Sequence, residues 1–340
     1  MTSDNTLLQQ LATLTEYHKE KCSLYRDYVD ALFKSSNGHA SLKDLPWLPV
    51  RAFKEFSLKS IEDENVFKIM HSSGTGGKPS SIYLDSLTAK QQQSKLIEIF
   101  QDAFGKKRFP MLVIDSESTV KDRNRFTART AAINGFSIFS RGRAFALNDD
   151  LSINYKRLFA FLEENKGKPI FLFGFTFLIW KNFVKSLEES GKKLDLSDAF
   201  ILHGGGWKKL IGESVSPETF KAKIRETTGC TNVRNYYGMI EQTGSIYMEC
   251  EHGNLHAPSG SDAIIRCTDT FEKLGDHQEG LIQIFSTIQK SYPGHSLLTE
   301  DIGSAMAGSN CGCGRAGTIL RIKGRLEKAE IRGCSDAVGF

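Results

Sequence analysis

Two groups of residues in this chain have the types and spacing to do chemistry. The first is the segment His71-Ser-Ser-Gly-Thr-Gly-Gly-Lys78-Pro79-Ser80. Glycines let a backbone adopt dihedrals in which successive N–H groups converge on an anion. Ser72, Ser73 and Thr75 add hydroxyl donors, and Lys78 adds a positive charge. The segment differs from the P-loop of nucleoside triphosphatases, in which Ser or Thr follows the lysine; here Pro79 follows Lys78. Taken alone, it fits a phosphate cradle or a surface turn. The second group is Cys250, His256, Cys311 and Cys313, with His252 competing for the histidine position. Cys311-Gly-Cys-Gly314 reads as a knuckle-like turn that presents two thiolates to one ion. Four such donors imply a closed, tetrahedral, structural zinc site that ties two distant loops together.

The bulk of the chain bounds what surrounds these groups. Its 340 residues are 40% hydrophobic and 25% charged, which is ordinary globular composition. A net charge of +4 suits a protein that handles anions but is too weak to argue for nucleic acid. The N-terminus, MTSDNTLLQQ, lacks the layout of a signal peptide. The most apolar stretch, Pro169 to Trp180, is about 12 residues, where a membrane span needs roughly 20. Seven cysteines without an export signal argue against a disulfide framework and for reduced thiols in the cytoplasm.

Positioning elements follow from periodicity and breakers. Leu7, Leu8, Leu11, Leu14, Tyr17 and His18 predict a helix over residues 4–34, which the prolines of Leu45 to Val50 end. Helices are also predicted at 88–104, 153–165, 176–190 and 216–227. Strands are predicted at 109–115, 170–175, 199–202, 233–237, 262–267, 281–286 and 318–323. Helices alternating with short apolar strands imply an α/β fold, richer in strands in its last third. Phe171, Phe173, Phe175 and Phe177 alternate, a pattern that serves core packing as well as an apolar channel. Cys22, Cys230 and Cys267 have no visible partners and read as core.

Taken in order, these motifs resemble the adenylate-forming superfamily of acyl-CoA synthetases, adenylation domains and luciferases. Ser72 to Pro79 matches its phosphate loop. Tyr237-Gly238-Met239-Ile240-Glu241 matches Tyr-Gly-x-Thr-Glu, with Ile240 in place of the threonine. Thr299-Glu300-Asp301 matches Thr-Gly-Asp, with Glu300 in place of the glycine, and Gly324-Arg325 matches the Gly-Arg before a hinge. More narrowly, Leu202-His-Gly-Gly-Gly-Trp-Lys208, Ser291-Tyr-Pro-Gly-His-Ser296 and Glu330-Ile-Arg-Gly-Cys-Ser335 resemble LuxE-type acyl-protein synthetases, the fatty-acid-activating subunits of bacterial luminescence systems. The resemblance covers about residues 45–340.

The resemblance implies an adenylate-forming domain over 1–324, with a helical lead-in at 1–45 and a strand-rich part at 233–324, followed by a tail at 325–340. It implies that Ser72, Ser73, Gly74, Thr75, Gly76, Gly77 and Lys78 grip the phosphates of ATP. Gly204, Gly205 and Gly206 would lie along the adenine, and Tyr237, followed by Gly238, would stack on it. Glu241 would hold Mg²⁺, Asp301 the ribose hydroxyls, and Arg325 ribose or phosphate. Thr243 is the candidate to supply the hydroxyl that Ile240 lacks. Cys250, His256, Cys311 and Cys313 also resemble a pairing in phenylacetate-CoA ligase-type relatives. Only fifteen residues follow Arg325, so the usual mobile C-terminal domain is expected to be lacking. Cys334 in this tail is expected to attack the acyl-adenylate and carry the acyl group as a thioester. The substrate would be a carboxylic acid, and the acceptor an acyl-reductase, an acyl carrier or another protein. Two alternatives stay open: a free-standing ligase that passes the acyl group to CoA or an amine, and a weakly active nucleotide-binding subunit of a complex.

Overall fold

The structure, a computed structural model, describes residues 3–33, 39–72, 78–121, 128–207 and 212–326. The chain divides into two compact units, one built from residues 1–103 with 237–330 and the other on 104–236. The first unit opens with two helices, Ser3–Lys21 and Ser23–Leu32, where periodicity alone predicts one. Cys22 is extended between them. The break turns the second helix so that Tyr25 and Val29 are buried against Ile282, Ile284 and Leu297 of the strand-rich region. Strand β1 (Leu48–Pro49) follows, and then β2 (Lys68–His71) pairs with β3 (Ser81–Leu84) in a separate two-stranded sheet. The residues between these two strands are the glycine-rich segment. Helix Ser86–Phe104 leads into the second unit.

That second unit holds β4 (Phe109–Ser116), β5 (Ser140–Leu147), β6 (Phe171–Phe175), β7 (Phe200–Gly204) and β8 (Asn232–Tyr237). All five are parallel, in the order β5-β4-β6-β7-β8. Apolar residues line both faces, as expected of a parallel sheet covered on each side. Leu112, Ile114, Leu172, Ile201 and Val233 pack against helical residues such as Leu158, Phe183 and Ile224. Phe171, Phe173 and Phe200 form the opposite face and stack with Phe104, Phe109, Phe136 and Tyr236. The helix Pro217–Thr228 has readable ends: Ser216 accepts from the Thr219 N–H, Pro217 opens the first turn, and Gly229 closes it in the left-handed region. Strand β5 and the helix Ala128–Phe136 were not predicted. The first half of β5 is polar and largely exposed, so it leaves no apolar run to detect.

Back in the first unit, β9 (Tyr247–Glu249), β10 (Leu255–His256), β11 (Ser261–Arg266), β12 (Gly280–Ser286), β13 (Ser296–Met306) and β14 (Ile319–Arg325) run in the order β11-β12-β13-β14-β10-β9, and β1 adds in parallel to β13. Strand β13 was unpredicted because its middle, Thr299 to Asp301, is polar. It is held by pairing with β12 on one side and β14 on the other. Glu300 lies inside this strand; its backbone is not among the described positive-φ residues, so the position makes no demand for glycine.

Candidate active site

Strand pairing builds the first cluster. Asp301 on β13 faces Arg325 on β14 in register, and the Arg325 Nε lies 3.3 Å from Asp301 Oδ1. Tyr237, the last residue of β8, donates its hydroxyl to Asp301 Oδ2 at 2.7 Å. Within β13, Thr299 accepts from the Asp301 N–H at 3.1 Å while donating to the Ile282 carbonyl at 2.8 Å. Tyr237, Asp301 and Arg325, widely separated in sequence, are thus linked by one hydrogen bond and one ion pair. Burial and the Asp301 charge push the Tyr237 phenol well above its ordinary value, so it stays a neutral donor. Such a bond to a charged acceptor contributes roughly 1.5–3 kcal/mol.

Gly238 and Met239 lead into a short 3₁₀ turn, Ile240–Gln242, in which Glu241 is only 3% exposed. Thr243 closes the turn by donating to the Ile240 carbonyl at 2.9 Å, so its hydroxyl already serves the backbone. Ser72 clamps the base of the glycine-rich segment: its Oγ accepts from the Ser80 N–H at 2.8 Å, and its own N–H donates to the Ser80 carbonyl at 3.1 Å. Lys78 is exposed beside it. Ser73, Gly74, Thr75, Gly76, Gly77 and Cys334 lie outside the described residues.

In the other unit, Gly204 ends β7 and is followed by Gly205 and Gly206, both at positive φ. A Cβ at Gly204 would sit 2.6 Å from the Tyr236 ring, and one at Gly205 would sit 2.5 Å from the Phe175 ring. At these two positions it is the protein's own aromatic layer that excludes a side chain. A Cβ at Gly206 would meet nothing within 4 Å.

The second cluster is Cys250, His256, Cys311 and Cys313, whose ligand atoms all lie within 4.8 Å of one another. Cys250 Sγ is 3.7 Å from Cys311 Sγ, and Cys313 Sγ is 3.4 Å from His256 Nε2. A tetrahedral ion with the usual zinc bond lengths separates two sulfurs by about 3.75 Å, and a sulfur and a nitrogen by about 3.5 Å. These two pairs therefore stand at ligand spacing. The next layer fits as well: His256 Nδ1 meets the Gly317 carbonyl at 3.0 Å, leaving Nε2 for an ion. Asn254 Nδ2 and the Arg315 N–H point at the Cys311 and Cys313 sulfurs. The Cys313 backbone N–H is the main cause that lowers the Cys311 thiol to about 6, whereas burial raises Cys250. His252 instead lies beside Gly312, and His256 is the histidine that sits with the three cysteines. The six described cysteines are all free thiols.

Sequence reasoning did not single out the side chains that hold Glu241 in place, Tyr292 and Gln242. Tyr292 lies inside the Ser291–Ser296 segment, whose buried aromatic beside a proline and a glycine was the available signal.

The fold is that of adenylate-forming ligases. A 2-hydroxyisobutyryl-CoA ligase, solved with 2-HIB-AMP and CoA, superposes with a TM-score of 0.73 at 15% identity, over 96% of this chain and 70% of that one. A long-chain-fatty-acid-CoA ligase from Archaeoglobus fulgidus superposes at 0.53 and 15% identity, over 78% of this chain and 52% of that one. Within this fold, the chain belongs to the acyl-protein synthetase, LuxE, family, whose pattern matches residues 4–339. The long-chain-fatty-acid–luciferin-component ligase of Vibrio harveyi is 25% identical over 337 residues, 94% of this chain and 84% of the relative. Its Aliivibrio fischeri counterpart is 22% identical over 308 residues, covering 84% and 76%. No helix among the described residues is long and apolar enough to cross a membrane.

Proposed function

We propose that this protein uses ATP to activate a fatty acid as an acyl-adenylate and then carries the acyl group as a thioester on Cys334. The observation that supports the nucleotide side of this reading is Asp301, hydrogen-bonded to Tyr237 and ion-paired with Arg325, with Glu241 on the turn after Tyr237. In this reading Asp301 accepts from the ribose hydroxyls, with Tyr237 and Arg325 fixing the orientation of its carboxylate. Lys78 and the glycine-rich segment neutralise the triphosphate, and Gly204 to Gly206 border the adenine. Glu241, a hard oxygen donor, holds Mg²⁺, which when bound offsets the phosphate charge that builds up as pyrophosphate leaves. Residues 1–324 form the adenylating domain and 325–340 the acyl-carrying tail, which delivers its thiol intramolecularly. The Cys250, His256, Cys311 and Cys313 cluster holds a structural zinc ion that ties β10 to the loop before β14. The free thiols favour a reducing cytoplasm, and a reductase or another acyl acceptor takes the product.

The test separates the two half-reactions. Lys78→Ala and Glu241→Ala should each slow acid-dependent pyrophosphate exchange at least about tenfold, roughly 1.4 kcal/mol of barrier. Cys334→Ser should keep that exchange within about threefold while abolishing hydroxylamine-sensitive labelling of the protein. Wild-type exchange in both nucleotide variants sinks the site. Acyl-CoA formation without any acylated protein sinks the thioester.

A further inference from the structure

The carboxylate of Glu241 is only as well placed as the turn that carries it, and that turn is held from outside. Tyr292, fully buried, donates its hydroxyl to the Glu241 carbonyl at 2.9 Å. Gln92, on the helix Ser86–Phe104, donates its amide to the same phenol oxygen at 3.4 Å, which leaves the phenol proton for Glu241. The next residue is tied too: Gln242 Nε2 donates to the Gly294 carbonyl at 2.8 Å and approaches the Ile284 carbonyl at 3.3 Å. Gly294 is required here, because a Cβ would stand 2.3 Å from the Tyr292 ring and 3.0 Å from the Glu241 carbonyl. Phe53 packs its ring edge-on against Tyr292 at 5.8 Å and fixes the phenol's direction.

We propose that Tyr292 and Gln242 are positioning residues for Glu241: the buried Ser291–Ser296 segment fixes the 3₁₀ turn so that the carboxylate is preorganised for a divalent cation. This rests on the reading of Glu241 as the Mg²⁺ carboxylate. Neither residue touches the ion or the nucleotide. They act by removing alternative turn geometries, which would otherwise have to be frozen out each time the cation binds. The phenol suits this task. Burial raises it far above its ordinary value, so it remains a donor at every working pH.

The experiment measures the Mg²⁺ concentration that half-saturates pyrophosphate exchange, together with the thermal midpoint, in the full chain. Variants are Tyr292→Phe, Gln242→Met, Glu241→Gln and, as a control, Tyr247→Phe. Tyr247 is equally buried in the same unit and donates to the Asp262 carbonyl at 2.6 Å, so it loses a comparable bond elsewhere. Tyr292→Phe and Gln242→Met should raise half-saturating Mg²⁺ about fivefold each, the equivalent of one net hydrogen bond of about 1 kcal/mol. Excess Mg²⁺ should restore their rates, and Tyr247→Phe should leave the Mg²⁺ dependence unchanged. If Tyr292→Phe merely lowers the midpoint as Tyr247→Phe does, while Glu241→Gln alone shifts the Mg²⁺ dependence, the hydroxyl is structural and the proposal is overturned. If Glu241→Gln also leaves the Mg²⁺ dependence unchanged, the premise fails instead, and the proposal falls with it.

Discussion

In the 104–236 unit, both faces of a parallel sheet carry apolar side chains, and burial there is a matter of packing: Leu112, Ile114, Leu172 and Ile201 on one face, a stack of phenylalanines on the other. Its main buried ion pair is Arg129 with Asp115, at 2.6 Å. The other unit is built differently. Between its antiparallel strands and helices it buries Glu241, Gln242, Gln283, Gln289, Ser291 and His295, and the side chains of Gln242, Gln283, Gln289 and His295 hydrogen-bond within the unit. His18 and His295 stack at 5.0 Å, one bonded to Ser60 and the Gln289 carbonyl, the other to Thr15. An apolar core tolerates many fillings of the same volume, whereas a buried polar network holds only if each member finds its partner. The candidate nucleotide and metal residues Tyr237, Glu241, Asp301, Arg325 and the cysteine cluster all lie in the polar unit.

Acid should break this contrast open first. Burial lowers His18 and His203 to about 3 from 6.5, and holds His295 well below its ordinary value. The folded state keeps these rings neutral, so below pH 6.5 the unfolded chain binds more protons. Their contribution is complete above 6.5 and is lost as pH falls toward 3. By pH 4.5 the His18 and His203 rings each remove on the order of 3 kcal/mol, and His295 acts in the same direction. Two of the three are in the polar unit, so hydrogen exchange at that pH should report opening there before the parallel sheet. Simultaneous opening of both units would erase the distinction.

Phe200→Ala probes the other side of the comparison. Phe200 stacks on Phe104 and Phe171 and is 6% exposed. Its truncation should cost about 3–5 kcal/mol in a denaturant titration, yet leave half-saturating Mg²⁺ of the folded enzyme unchanged. A shift in Mg²⁺ dependence would show that packing in this unit sets the site as well.

Metal removal comes next in size. Chelation of the purified protein, or Cys313→Ser, should release about one zinc per chain and cost about 3 kcal/mol, the value for an ion held at a few hundred times its Kd. A protein that contains no metal and keeps its thermal midpoint after chelation would reduce the cluster to three thiols and an imidazole. The smallest expected effect belongs to Tyr237→Phe. Loss of its bond to Asp301 should cost roughly 1.5–3 kcal/mol, read as a rise in the ATP concentration for half-maximal exchange with kcat little changed. An unchanged ATP dependence would separate the Tyr237 and Asp301 pair from nucleotide binding.

Much of this molecule was written in local pattern. Ser216, Pro217 and Gly229 mark a helix by their own backbone chemistry, and the apolar runs at 109–115 and 170–175 read as buried strands, so the α/β class followed from periodicity and punctuation. The ordered motifs around Ser72, Tyr237, Asp301 and Arg325 carried the family likeness, and Cys311-Gly-Cys313 announced its partners, because ligand chemistry needs particular side chains at particular spacings. Tertiary structure decided the rest. Nothing local in Thr299-Glu300-Asp301 says strand; the pairing of the flanking Leu297, Leu298 and Ile302 with β12 and of Asp301 with β14 does. The choice of His256 over His252 came from which ring β10 turns toward Gly317. Gly204 and Gly205 owe their identity to the rings of Tyr236 and Phe175. Tyr292 reaches the Glu241 carbonyl across 51 residues of sequence, because a buried polar group must find its hydrogen bond wherever the fold brings one within 3 Å, a condition that no sequence window contains.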